Sequence, residues 1–183
     1  PMQAWSGAAR VVVDGAGPLA DELVAQRRRC EVGVLRGTHA ADGAELSLAE
    51  GASAPDVVVV VATGRAPRWA GAPWQARGIP HLPVVLGAER VVVGPLVLPG
   101  RTACLRCADG AWPGSRVGGT GDLPAGTVVL ACAVATATVL TTLRGDPSLG
   151  GISTEIGLDD VTLTHRLWNV RPDCGCAQVR MAG

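Results

Sequence analysis

Four cysteines constrain this chain more than any other feature. Cys104 and Cys107 form a Cys-x-x-Cys pair, and Cys174 and Cys176 form a Cys-Gly-Cys pair about sixty-five residues later. Two close-spaced pairs can set four thiolates at the corners of a tetrahedron, the arrangement a structural zinc ion prefers. The first pair follows the turn sequence Pro99-Gly100 and the second follows Arg171-Pro172-Asp173, so both are expected on loops able to bend around an ion. Gly175 relieves crowding when both flanking sulfurs turn to one ion. Two disulfides, or four buried thiols sharing nothing, are the competing readings. Zinc is the expectation, because the remainder of the chain reads as intracellular, where thiolates outlast disulfides.

Composition narrows the function classes. A chain of 183 residues suits one domain with a substantial core, and two full domains would be cramped, so residues 1–183 are read as one. Sixteen acidic and sixteen basic residues balance, which gives no electrostatic reason to expect nucleic acid or an anionic membrane as partner. The start, Pro1-Met2-Gln3-Ala4-Trp5, lacks the basic-then-apolar order of a secretory signal. Val128–Leu143 comes nearest to a membrane span, but its alanines and threonines suit a buried helix better. A cytoplasmic protein is the expectation. Every basic residue is arginine, so no step that needs a lysine can be carried by these residues.

Along the chain, Arg10–Asp14 is a β-branched run followed directly by Gly15-Ala16-Gly17-Pro18-Leu19-Ala20. Asp21–Arg29 then reads as a helix with a basic last turn, and Glu31–Leu35 as the next strand. This is the opening of a dinucleotide-type βαβ unit. Gly37–Ala54 is polar and rich in small residues, with no element predicted. Val57–Val61 is a strand suited to burial on both faces, and Trp69–Arg77 a short helix. Ile79–Leu86 and Arg90–Leu98 read as strands, Gly110–Gly126 as a mobile crossover loop, and Thr127–Leu143 as a buried helix. A closing antiparallel hairpin is predicted over Gly151–Val170. The fold class is α/β: a Rossmann-like, mostly parallel sheet, then antiparallel strands and a structural zinc site.

In the Gly15-x-Gly17-x-x-Ala20 turn, backbone can approach a phosphate at a helix start. Pro18 removes one amide donor, and no acid follows the second strand until Asp42, where a ribose would be held. A tight strand-to-helix turn with no nucleotide fits the same residues.

With this turn, the run Val92–Gly100 ahead of Cys104-x-x-Cys107, and the closing Arg171-Pro172-Asp173-Cys174-Gly175-Cys176, the chain resembles the ThiF/MoeB-like family of ubiquitin-activating-type adenylyltransferases. Within it the likeness is greatest to the ThiF-like proteins of thiazole/oxazole-modified peptide (TOMM) and thiopeptide biosynthesis, and it covers nearly the whole chain. The resemblance implies zinc on Cys104, Cys107, Cys174 and Cys176, and a nucleotide turn at Gly15 and Gly17. It implies no catalytic residue, because the acid after the second strand, the Asn-Arg-Gln-type stretch and the triphosphate-binding lysine have no counterparts. Arg36 and Arg65 offer charge there, but not a lysine's point charge. Losing a positive partner for developing phosphate charge costs several kcal/mol of barrier. The implied protein is a degenerate adenylyltransferase, ATP binding being doubtful. Its implied role is a scaffold that engages a precursor (leader) peptide and presents it to a YcaO-type cyclodehydratase, usually as a homodimer. The leader-recognition element that normally precedes such a fold is then expected on another chain or in a longer gene product. An adenylyltransferase for a ubiquitin-like or sulfur-carrier protein, and a zinc-stabilised interaction domain, are the alternatives.

Other residues are read as structural. Cys132 belongs to the core of its helix, and Cys30 ends one. His39, His81 and His165 stand apart, with His81 structural. Arg27-Arg28-Arg29 reads as a solvated helix end, and Trp69 and Trp74 flank Pro73 on a surface segment, as partner anchors or half-buried packing. No serine has the Gly-x-Ser-x-Gly context of a hydrolase.

Overall fold

The structure is a computed structural model, and it describes residues 9–37, 39–66, 68–108, 112 and 123–178. Elements run β1 (Arg10–Asp14), α1 (Pro18–Arg29), β2 (Gly33–Gly37), α2 (Ala40–Ala49), β3 (Val57–Thr63), a 3-10 turn (Arg68–Gly71) leading into α3 (Ala72–Ala76), β4 (His81–Leu86), β5 (Arg90–Val93), α4 (Ala125–Leu143), β6 (Ile152–Gly157) and β7 (Leu163–Leu167). A final 3-10 turn covers Gly175–Gln178.

One seven-stranded sheet has the order β2-β1-β3-β4-β5-β6-β7. The first four are parallel, and β5, β6 and β7 add antiparallel, as the sequence predicts. Valine runs explain how the parallel half is covered on both sides. Successive side chains on a strand point to opposite faces. Val11, Val13, Val57 and Val59 join a core with Leu19, Leu23 and the inner face of α4, while Val12, Val58 and Val60 join a second core with Ala41, Ala44, Trp74 and Ile79. Each such buried valine contributes about 1.5–3 kcal/mol.

Three expectations shift. Gly37–Ala54 is not featureless: α2 lies within it, burying only Ala41 and Ala44 and leaving Leu46 68% exposed. The second strand starts at Gly33 rather than Glu31, because Glu31 takes a left-handed φ of 58° and turns the chain first. Trp74 is no surface anchor; it is 1% exposed in the second core, whereas Trp69 is 71% exposed.

The helix predicted over Thr127–Leu143 starts two residues earlier, after Pro124, so Ala125 and Gly126 belong to it and not to a loop. Most of the crossover loop expected over Gly110–Gly126 lies outside the described residues. By length and composition α4 is apolar enough to cross a membrane, the one such helix among the described residues. Its inner face packs on α1 and the sheet, burying Val128, Ala131, Cys132, Ala135 and Val139. The outer face, with Val129 51% exposed, carries no charge anywhere between Ala125 and Leu143.

The basic end of α1 is not simply solvated. Arg28 and Arg29 are exposed, but Arg27 is 0% exposed and none of its three guanidinium nitrogens has a hydrogen-bond partner. Burial lowers its pKa to about 10, against small upward pulls from Cys132 and Cys30. Cys132 is the core residue the sequence predicts: it is fully buried, its thiol donates to the Leu19 carbonyl at 3.4 Å, and burial raises its pKa to about 12.

Candidate metal centre

The route to the first cysteine pair begins where β5 ends. After Val93 the chain forms single bridges at Leu96, to Gly150, and at Val97, to His81. Thr102 then ties the next bend, its hydroxyl accepting the Leu98 amide at 2.8 Å. The turn that follows is closed by amides of Cys107 and Ala108 donating to the Cys104 carbonyl. This aims two sulfurs to the same side. The second pair arrives past β7, where the Cys174 amide donates to the Arg171 carbonyl at 3.0 Å and a charged fork pairs Arg171 with Asp173 at 2.7 Å.

The sulfurs meet. Cys104 Sγ lies 3.8 Å from Cys107 Sγ and 3.6 Å from Cys174 Sγ, and Cys107 Sγ lies 3.6 Å from Cys176 Sγ. All four are within 4.8 Å of one another. None is disulfide-bonded. A tetrahedron with metal–sulfur bonds of about 2.3 Å has edges of about 3.8 Å, so the donor set fits a single ion of that kind. Each cysteine is at most 8% exposed, and Ala103, Leu105 and Val97 wrap the cluster with Trp112, Trp168 and Val170. The backbone amide of Arg171 donates to Cys107 Sγ at 3.4 Å, the type of outer contact that stabilises a thiolate. Burial raises the Cys104 pKa. At Cys174 burial pushes the same way, but hydrogen bonds from the Cys176 amide and the neighbouring thiols outweigh it and bring the pKa to about 7. The arrangement can hold a metal ion and stitch β5 and β7 segments together. It leaves no coordination position for a reaction.

The glycine turn is built differently from what a phosphate loop alone would require. It sits at the carboxyl ends of β1 and β3, where the strand order reverses, which is the usual crevice of an open α/β sheet. Gly15 has φ +138°, its amide donates to the Gly37 carbonyl, and a Cβ added there would fall 2.7 Å from Val61 Cβ and 2.8 Å from Val61 O. Packing against β3 therefore demands glycine at this position with or without a ligand. Gly17 has φ +90°, and a Cβ there meets nothing within 4 Å, so this residue faces open space ahead of α1. Gly15→Ala should cost about 2–3 kcal/mol of stability, from overpacking on β3, and Gly17→Ala about 1 kcal/mol, from its backbone angle alone. Urea unfolding of both variants checks this, and equal losses would contradict it.

Arg36 is committed elsewhere. It forms an ion pair with Asp21 in the first turn of α1, so a nucleotide would have to displace that contact to use it. Arg65 follows the end of β3, on the same rim. Sequence reasoning passed over Asp14, at the end of β1. Burial raises the pKa of its carboxyl despite hydrogen bonds from the amides of Ala41 and Ala40, the former at 3.4 Å. Its place as the last residue of the first strand was the available signal. His81 is buried, as expected for a structural histidine, with its pKa lowered to about 4 by burial.

No family model matches the chain, and none of the curated proteins matches it. Solved structures do. E. coli MccB with MccA-N7isoASN superposes with a TM-score of 0.65 over 92% of this chain and 66% of that one, at 16% identity. The chain has the MccB fold. The expected likeness to the ThiF/MoeB-like proteins is thus borne out in the fold. The Microcin C7 biosynthetic enzyme MccB in complex with N-formylated MccA matches at TM-score 0.65 and 15% identity, over 92% of this chain and 67% of that one. A heterocyclase in complex with substrate and cofactor matches at TM-score 0.63 and 15% identity, over 92% of this chain and 25% of that one. This chain therefore spans just under two thirds of the first MccB structure and a quarter of the heterocyclase.

Proposed function

We propose that this chain is a ThiF-like partner protein in ribosomal-peptide (azole or thiopeptide) biosynthesis, which engages a precursor peptide and presents it to a YcaO-type cyclodehydratase. The observation that carries the reading is a fold shared with MccB bound to MccA forms and with a substrate-bound heterocyclase. In this reading Cys104, Cys107, Cys174 and Cys176 hold a structural zinc ion. The residues form one ThiF-like domain, and a second copy covers the charge-free outer face of α4, giving a homodimer whose mass light scattering reads directly. The protein works in the cytoplasm.

A second reading has its own support. MccB is also matched in a structure with ATP, at TM-score 0.65 and 16% identity, and Gly17 opens onto the crevice where a nucleotide would lie. That reading is an adenylyltransferase acting on a carrier protein's C-terminus. Against it stand a chain without lysine and an Arg36 already paired with Asp21.

Reconstitution separates the two. The purified chain, a precursor peptide and a YcaO enzyme encoded beside it are combined with ATP, and ring closure is followed by mass as loss of water. Addition of the chain should raise the cyclisation rate at least tenfold, with no pyrophosphate exchange by the chain alone. Cyclisation unaffected by the chain, or exchange driven by a carrier protein, would overturn the scaffold reading.

A further inference from the structure

Strand β7 ends the sheet with its outer side open. The Trp168 amide donates to the Gly151 carbonyl, and the Gly157 amide to the Thr162 carbonyl, so the even-numbered residues here turn their backbone groups toward β6. In an antiparallel ladder the alternate residues turn theirs away. Leu163, His165 and Leu167 thus present their amides and carbonyls outward, on a strand whose five residues are all exposed. No described strand pairs with these groups.

The two faces beside this edge differ. On one, Leu163 and Leu167 are 45% and 64% exposed and flank His165, whose Nδ1 lies 3.0 Å from the Thr154 hydroxyl. Leu163 stands opposite Ile156, which belongs to the core shared with α4. On the other face, Arg166 is exposed and lies over the Trp168 ring, with no ion pair among the described residues. Thr162 and Thr164, behind it on the same face, line a cavity of about 480 Å³ with Glu89, Glu155, Asp159 and Asp160. The cation in that wall, Arg90, is taken by Glu155 at 2.6 Å. Three carboxylates there have no cationic partner among the described residues. The edge therefore has a fixed order: apolar at 163 and 167, negative beside 164, positive at 166.

We propose that β7 accepts an antiparallel strand from a partner protein, with an acidic residue opposite Arg166, a basic one opposite Thr164, and apolar residues opposite Leu163 and Leu167. Strand addition takes its affinity from the outward backbone groups and its selectivity from such facing side-chain pairs. From its N-terminus the added strand reads apolar, acidic, any residue, basic, apolar. A second copy of this chain fits less well. Two-fold pairing about His165 sets Thr164 against Arg166, so the cation meets no acid. The inference goes beyond the scaffold reading and does not depend on it.

The probe is fluorescein-labelled Ser-Leu-Glu-Thr-Lys-Leu-Ser, titrated with the chain and followed by fluorescence anisotropy. Exchanging its glutamate and lysine should weaken binding at least tenfold. N-methylation of its threonine, whose amide faces β7, should do the same. N-methylation of the glutamate, whose amide faces away, should change binding less than threefold. Arg166→Glu should weaken the probe at least tenfold, and a probe with lysine in place of glutamate should bind that variant more tightly than wild type. This exchange of preference separates a charge contact from misfolding. No saturable binding, equal binding of the exchanged peptide, or equal effects of the two N-methylations overturns the assignment. Oligomeric state is read alongside by light scattering. His165→Pro removes an outward amide and no ladder bond, so a dimer that it splits would put a second copy on β7 and overturn the partner strand.

Discussion

Replacing Cys174 with serine should abolish stoichiometric metal binding and lower the melting temperature by roughly 10 °C or more. Four buried sulfurs at 3.6–3.8 Å along the measured edges leave no place for a fifth donor to compensate. A closed four-sulfur site adds its binding free energy directly to folding, so loss of a ligand removes several kcal/mol. For a chain of this length each kcal/mol moves the melting temperature about 2–4 °C. Elemental analysis with a thermal melt in reducing buffer checks both numbers. Acid should act in the same direction: metal binding requires thiolates, so protons compete and affinity falls as pH falls. A Cys174→Ser protein that keeps one metal per chain and its melting temperature would show that the sulfurs merely adjoin.

The opposite sign is expected at Arg27. Its guanidinium is fully buried and unpartnered, and burial lowers its pKa from 12.5 to about 10. The unfolded chain therefore holds this proton more tightly than the folded one. The penalty is present in full below about pH 10, amounts to roughly 3 kcal/mol, and fades as pH rises toward the unfolded value. Arg27→Met keeps most of the side-chain volume and removes the charge. It should raise the melting temperature by about 3–8 °C at pH 7, by an amount constant from pH 6 to 9. A loss of stability would mean that Arg27 meets an anionic partner in solution.

Much of the parallel half was legible because its elements advertise themselves. An uninterrupted valine run after Pro55-Asp56 and before Gly64 reads as a strand covered on two sides, and Val57–Val61 is one. The cysteine pairs were legible through spacing alone. What escaped has physical reasons. Helix α2 buries two alanines, half-buries Leu48 and exposes Leu46, so it lacks the apolar stripe that periodicity detects. Arg27 sits in a run of three arginines whose helical phase, and not composition, decides that one points inward. Trp74 follows a proline in a five-residue helix too short to show a pattern. The glycine turn was read for its amides, but no sequence rule reveals that Val61 from another strand closes over Gly15.

Strand β7 has every residue exposed and, among the described residues, only β6 as a neighbour, so one of its margins offers backbone amides and carbonyls that pair with no described strand. Leu163 and Leu167 would make that margin adhesive, and between them lie His165, held by Thr154, and Arg166, laid over the Trp168 ring at 4.6 Å. A cation at the middle of a bare margin repels its own image in a second molecule, which guards concentrated or refolding protein against stacking into fibres.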